Sequence, residues 1–281
     1  MTRNATSYDP RTMEQRRAHY EVETELAARL RNSSREERRN LYTALYDELY
    51  EKVPDHPLLT RPASAEDTER QVAAQLRLIR PFLGPDTTYL EIGAGDCVLS
   101  RRVSQIVKHV YGVEISDTVA GHADLPANFR FVFSDGSSIP VPPNSVDVAY
   151  SNQVMEHLHV DDVADQLRNI LAALAPGGIY ICVTPNRLNG PHDVSRYFDK
   201  VATGFHLKEY STGELDKLFR EVGFSKTTAH AEIRGAGFAI PVPVIVFVES
   251  ILDRLPRSLS SALAGMPFVR KFLGVQLTGT K

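Results

Sequence analysis

Along the first third of the chain, apolar positions recur at helical spacing. From about Glu14 to Leu30 charge dominates and apolar positions are few, which predicts a helix that packs weakly or against a partner. Ser34 and Glu37 form a capping-box pair; Leu41, Leu45 and Leu49, with Tyr42, Tyr46 and Tyr50 alongside, then give one broad apolar stripe. Pro54 and Pro57 stop that helix. A third begins near Ser64, buries Val72, Leu76 and Ile79, and ends at Pro81 and Gly84-Pro85.

From Thr88 the rhythm shortens. Apolar runs of strand length, TYLEI, HVYGVE, FRFVF, VDVAYS and IYICVT, alternate with helical segments, the clearest being Asp161 to Leu174. Ser211 and Glu214 open a further helix that Gly223 stops; a sixth strand follows around Phe224–Ile233, and GVQLTGT is the last. Strands alternating with helices imply βαβ units. The expected fold is an α/β, doubly wound, mostly parallel, seven-stranded Rossmann-like sheet. A helical extension over residues 1–63 precedes a domain over 64–281, and an apolar insertion over 235–272 comes before the last strand.

At 42% hydrophobic and 24% charged, the 281 residues have the apolar content of a globular protein. A net charge of −3 gives no overall attraction for a phosphate backbone, so no nucleic-acid partner is expected. Two cysteines, Cys97 and Cys182, make neither a disulfide framework nor a thiolate zinc site. The first residues lack the apolar run of a secretory signal. The longest apolar stretch, Ala236 to Val248, is broken by Pro241 and Pro243 and is too short to span a bilayer. A cytoplasmic protein without a membrane span is expected.

The stretch Tyr89-Leu90-Glu91-Ile92-Gly93-Ala94-Gly95-Asp96-Cys97 carries the most chemistry. A buried strand runs into a Gly-x-Gly turn and then a helix, at the sheet edge where α/β proteins bind ligands. A dinucleotide fingerprint would need a third glycine where Val98 stands, and Glu91 suits instead a ligand with a cationic group. Glu114, 19 residues after Gly95 at the end of the second strand, can accept both hydroxyls of a ribose. Asp135, in Ser134-Asp135-Gly136 after the third strand, can accept from an exocyclic amine. The three carboxylates fit a ligand that carries an amine, a ribose and an adenine.

With these residues the chain resembles the class I S-adenosylmethionine-dependent methyltransferases, in the broad group that includes ubiquinone- and menaquinone-type and natural-product enzymes. The resemblance covers roughly Leu78 to Gly223. It implies S-adenosyl-L-methionine as cofactor, with Glu91, Gly93 and Gly95 around its methionine part and Glu114 on the ribose. Asp135 would meet the adenine amine, and Ile115 and Gly136 would line the ring. The segment DVAYSNQVMEH, Asp147 to His157, matches the stretch after the fourth strand, where Ser151 or Asn152 would offer backbone to the methionine amino group. LAPGGIYICVTPN matches the part that closes the core sheet. Cys97 departs from the pattern, since many members have a third glycine there.

The resemblance implies a small-molecule acceptor, most readily an oxygen of a hydroxyl or carboxyl group. Carbon or nitrogen acceptors, a lipid-like acceptor, and a cofactor-binding regulatory protein without turnover stay open. Base-amine methylation is disfavoured, because Ser151-Asn152-Gln153-Val154 stands where those enzymes carry an Asn/Asp-Pro-Pro-aromatic run. A hydroxyl acceptor needs a proton removed. His157 and His206 flank the expected acceptor pocket, with Glu209 one turn from His206 to orient its ring. His19, His56, His109, His122 and His230 have no constellation around them and read as structural or exposed. Glu156, His157, Asp193, His206 and Glu209 offer metal-type donors without a diagnostic spacing, so no metal is expected. The polar loop from Pro185 to Asp193 reads as a binding loop. The 235–272 insertion reads as packing plus a lid over the acceptor in preference to membrane contact, because Pro241 and Pro243 interrupt any amphipathic helix. That insertion or the N-terminal helices would also offer a homodimer surface.

Overall fold

The computed structural model describes residues 9–60, 64–115, 125–233 and 236–281. In chain order come α1 (Met13–Arg31), α2 (Arg35–Lys52), the short α3 (Pro57–Thr60) and α4 (Ala65–Ile79). The sheet then begins with β1 (Thr88–Ile92), α5 (Val98–Ser104), β2 (His109–Glu114), β3 (Phe129–Phe133), β4 (Val146–Asn152), α6 (Val160–Ala173) and β5 (Leu174–Thr184). The remainder is α7 (Thr212–Val222), β6 (Lys226–Ile233), β7 (Ala236–Ile240), α8 (Val242–Arg254), α9 (Arg257–Ala264), α10 (Pro267–Leu273) and β8 (Val275–Thr280).

The helix starts read from sequence hold because their donors are satisfied locally. Ser34 with Glu37 and Ser211 with Glu214 form reciprocal capping boxes, and Ser64 accepts from the Asp67 amide. Gly223 ends α7 at φ 115°, a left-handed turn that costs glycine little.

The sheet runs β3-β2-β1-β4-β5-β8-β6-β7, with β1 to β5 parallel and β8 antiparallel to both its neighbours. Strand reversal between β1 and β4 opens the crevice in which doubly wound sheets bind ligands. The sheet has eight strands where seven were expected. The extra one, β7, comes from the start of the insertion, which folds back antiparallel on β6 before Pro241 ends it.

Alternation along β1 divides the core. Leu90 and Ile92 face α6, α7 and the N-terminal helices, whereas Tyr89 faces α4 and α5. The first helix packs firmly within its own chain: Leu26, Ala27 and Leu30 are buried in the same cluster as Leu45, Leu49 and Ile92. Its polar residues mislead at the sequence level because several are buried partners. α2 is fastened to α6 by Arg38, whose guanidinium donates to both Asp162 oxygens at 2.7 and 2.8 Å, with the Tyr42 hydroxyl donating to the same carboxylate at 2.9 Å.

In the insertion, α8 forms as a regular helix. Pro243 sits in its first turn, where a missing N–H costs nothing, so the prolines start the helix instead of breaking it. Among the described residues no helix is long and apolar enough to cross a membrane.

Candidate active site

After β1 the chain turns through Gly93 and Gly95, both left-handed at φ 71° and 51°. A Cβ on Gly95 would meet nothing within 4 Å, so its bare face borders open space. Cys97 departs from glycine in type but keeps the glycine-like backbone, with φ 60° and full burial. Glu114 ties the turn together. One carboxylate oxygen accepts from the Gly95 amide at 2.9 Å and the other from the Ile115 amide at 2.7 Å. A carboxylate offers about four acceptor positions, so each oxygen keeps one for a ligand hydroxyl.

Above these strand ends lies a cavity of about 250 Å³. Of the residues expected around a cofactor, Gly93, Glu114, Ile115, Gly136 and Asn152 line it. Glu91, Gly95 and Asp135 do not. The Glu91 side chain lies on the far face of the sheet, where the Ser100 hydroxyl donates to it, and burial pushes its carboxyl up to about 8 against that bond. Asp135 turns back on its own loop: Oδ1 accepts from the Ser137 and Ser138 amides at 3.1 and 2.8 Å. Those bonds hold its carboxyl below the usual range, against burial, which acts to raise it.

Two further parts of the cavity wall carry no mark in the sequence. Gln166 of α6 donates from Nε2 to the Gly136 carbonyl at 2.7 Å, while its buried Oε1 has no partner. An unpaired buried acceptor costs ~1–3 kcal/mol, and a ligand amine would relieve it. Tyr42, Tyr46 and Tyr50 of α2 form the opposite wall. Gly136, at φ 95°, lies so close to Tyr42 that a Cβ there would sit 2.7 Å from the ring. Their spacing marks a helix stripe; nothing in it marks a ligand wall.

A second cavity, of about 330 Å³, adjoins the first and shares Tyr46, Tyr50 and His157 with it. Here His157 and His206 meet, with Glu209 bonded to His206 from outside the lining. His206 Nδ1 lies 2.8 Å from Glu209 Oε1, which also accepts from the His192 amide at 2.7 Å. Burial pulls the His206 imidazole down, but the Glu209 bond and the charges of Glu156 and Asp193 outweigh it, so its affinity for a proton is raised. Glu209 is held at about 2: burial acts to raise it, and its bonds with His192 and His206 prevail. The His157 ring stands 4.9 Å from that of His206, nearly perpendicular. His157 Nδ1 must carry hydrogen, because it faces the Phe205 carbonyl at 3.0 Å; the Tyr46 hydroxyl lies 2.9 Å from the same nitrogen. Burial, aided by the neighbouring His206 charge, lowers His157 to about 3, so it is neutral at ordinary pH.

Two of the histidines read as isolated are drawn into this cavity. His19 and His56 stack edge-on with centroids 4.8 Å apart, and Glu23 lies 2.7 Å from His19 Nε2. α1 also fixes the loop before His206, since Glu23 accepts from the Phe205 amide and Arg31 donates to the Thr203 and Gly204 carbonyls. His230 bonds Thr278 at 3.2 Å, and His109 packs edge-on against Tyr111, both as structural residues; His122 lies outside the described residues. Among the described residues, two groups bring metal-type donor atoms within 4.8 Å of one another, His19 with Glu23 and His56, and Glu156 with His157 and His206. In the first, the Arg11 guanidinium lies 2.9 Å from His19 Nδ1, which fixes the proton on the nitrogen facing Glu23 and removes it as a ligand. In the second, both Nδ1 atoms face acceptors, and buried Glu156 has Oε1 unpartnered while Oε2 accepts from Thr184.

The insertion does not cover these two cavities. No described residue of the 235–272 insertion lines either cavity, because β7 extends the far edge of the sheet and α8 packs on α7; the N-terminal helices supply the covering residues.

The chain is similar to known proteins. The family described as "Methyltransferase domain" matches residues 64–229. A probable S-adenosylmethionine-dependent methyltransferase of Mycolicibacterium smegmatis is 28% identical over 186 residues, covering 64% of this chain and 68% of that protein. A ubiquinone biosynthesis O-methyltransferase of Paramagnetospirillum magneticum is 34% identical over 114 residues, 39% of this chain and 44% of that protein. Among solved structures, a Haemonchus contortus phosphoethanolamine N-methyltransferase with phosphoethanolamine and S-adenosylhomocysteine superposes with a TM-score of 0.55 at 15% identity, covering 88% of this chain and 50% of that one.

Proposed function

We propose that this chain, which belongs to the S-adenosylmethionine-dependent methyltransferase family, transfers the methyl group to an oxygen of a small-molecule acceptor, a hydroxyl in the first instance. The observation that carries the oxygen assignment is His206, bonded to Glu209, on the wall of a cavity that adjoins the cofactor-side cavity.

When bound, S-adenosylmethionine supplies an electrophilic methyl on sulfur. Glu114 would receive the ribose hydroxyls at its two remaining acceptor positions, and Gln166 Oε1, better than the turned-away Asp135, would receive the adenine amine. Ile92, Val113, Ile115 and Val154 give that cavity its apolar walls. Asn152 would offer backbone to the methionine amino group. Glu91, from behind the turn, would add negative charge once deprotonated.

His206 then acts as general base. Its Nδ1 is engaged by Glu209, which leaves Nε2 to take the acceptor proton and keeps the resulting imidazolium paired. His157, held neutral, would orient the acceptor. An acceptor screen by mass spectrometry, with hydroxyl, carboxyl, amine and carbon nucleophiles, tests the assignment: methylation of amines alone would overturn it. Failure of S-adenosylhomocysteine to bind folded protein in calorimetry would overturn the cofactor placement.

The unpartnered Glu156 Oε1 favours a second reading. A divalent ion held by Glu156, His157 and His206 would acidify a hydroxyl directly, and His206 would then be a ligand and no longer a base. Activity that a chelator abolishes and a divalent ion restores would select this reading over the first.

A further inference from the structure

Exposed apolar side chains are concentrated in one part of the molecule. Of the twelve large ones with the greatest exposure among the described residues, seven fall between Phe238 and Phe268. On α8, Val244, Phe247 and Ile251 recur at three- and four-residue spacing, on the side opposite the buried Ile245, Glu249 and Leu252. Phe247 and Phe268 are 66% and 69% exposed. The three helices α8, α9 and α10 form one unit around Leu252, Ala264 and Leu273, so their outer residues share a platform. A patch of this kind, if it stayed bare, would be a liability in water.

The charge around the patch identifies its occupant. Arg254, which continues the Val244–Phe247–Ile251 stripe, is exposed, as are Arg257, Arg270 and Lys271, and among the described residues none of the four has an ion-pair partner. The two acids of the same segment are both engaged. Glu249 is buried and accepts from Asn186, Thr212 and Gly213, and Asp253 is clasped by Arg187 at 2.6 and 2.9 Å. The outward field of the platform is therefore cationic, although the whole chain carries −3. A second copy meeting it across a two-fold axis would oppose four cations with four cations. An anionic lipid surface complements both its charge and its exposed aromatics.

We propose that the outer face of α8, α9 and α10 docks on an anionic bilayer, with Phe247 and Phe268 entering the boundary between headgroups and acyl chains and the four basic residues meeting lipid phosphates. At 13 residues α8 spans only about 20 Å, too little to cross, so it lies in the plane of the surface. Its inner face holds Asn186, at the start of the loop that carries His192 into the acceptor-side cavity. The docked platform and that cavity thus share one scaffold. This proposal is independent of the acceptor's identity.

Flotation of the full chain with vesicles tests it. Phosphatidylcholine vesicles containing about one-third phosphatidylglycerol should retain the protein at least about tenfold better than phosphatidylcholine alone, and high salt should abolish the difference. Phe247→Ser with Phe268→Ser should lower retention by about tenfold or more, and Arg270→Gln with Lys271→Gln by roughly twenty-five-fold, at about fivefold per charge. All four positions are solvent-exposed, and unchanged S-adenosylhomocysteine affinity and thermal midpoint would show that the variants fold. Equal retention on neutral and anionic vesicles would overturn the proposal. So would light scattering that finds a dimer which Phe247→Ser and Phe268→Ser convert to monomer, since the patch would then be a self-association surface.

Discussion

The two adjoining cavities are built from different materials. The cavity we assign to the cofactor has a floor of strand ends, the left-handed Gly93 and Gly136, and a Glu114 held by backbone amides. The cavity we assign to the acceptor takes its shape from ionisable side chains on α1, on the loop after β5 and on the segment around His206. A ligand common to many reactions can be held by backbone, which tolerates sequence change. An acceptor particular to one reaction needs side chains with chosen protonation states.

The sharpest way to break this contrast is His206→Ala. Turnover should fall ~10²–10⁴-fold by loss of general-base assistance, with S-adenosylhomocysteine affinity unchanged in calorimetry. Equal losses in both measurements would mean that the two cavities are not functionally separate. Glu114→Ala comes next. It removes the proposed ribose acceptor and strips the Gly95 and Ile115 amides of their partner, so cofactor affinity should drop at least tenfold at ~1.5–3 kcal/mol per charge-assisted bond. Turnover at saturating cofactor should change far less.

The pH profile sharpens the contrast further. A base works only when deprotonated, and the proton affinity of His206 is raised above its ordinary value of 6.5. The rate should therefore fall about tenfold per pH unit below a midpoint that lies above 6.5. If His157 were the base, its value of about 3 would keep the profile flat through the mildly acidic range. The smallest effect is expected from Tyr46→Phe, at the wall both cavities share. His157 keeps its bond to the Phe205 carbonyl and loses only the hydroxyl, worth ~1 kcal/mol, so acceptor KM should rise roughly fivefold. A steady-state titration of each substrate separates this from a change in cofactor affinity.

What the sequence discloses follows the range of the interactions. The β1 turn, Glu114 and the capped helices are legible because each is decided within some twenty residues by strand pattern and turn chemistry. Asp135 misleads for a local reason of another kind: a carboxylate two and three residues before free amides satisfies them first. Gln166 is invisible because Gly136 lies thirty residues away, and the His19–His56 contact because it joins two separate helical segments. The prolines of the insertion suggest a broken helix when only their number is counted, and a started one when their position in the first turn is known.

The tyrosines of α2 have a consequence for inheritance of function by similarity. The matched family region begins at residue 64, whereas Tyr42, Tyr46 and Tyr50, which close one chamber and reach into the next, precede it. Relatedness measured over residues 64–229 thus compares floors and leaves ceilings uncompared. Two chains can share the same sheet, turn and ribose acceptor and still admit different guests, because the part that decides headroom sits on a helix outside the compared stretch.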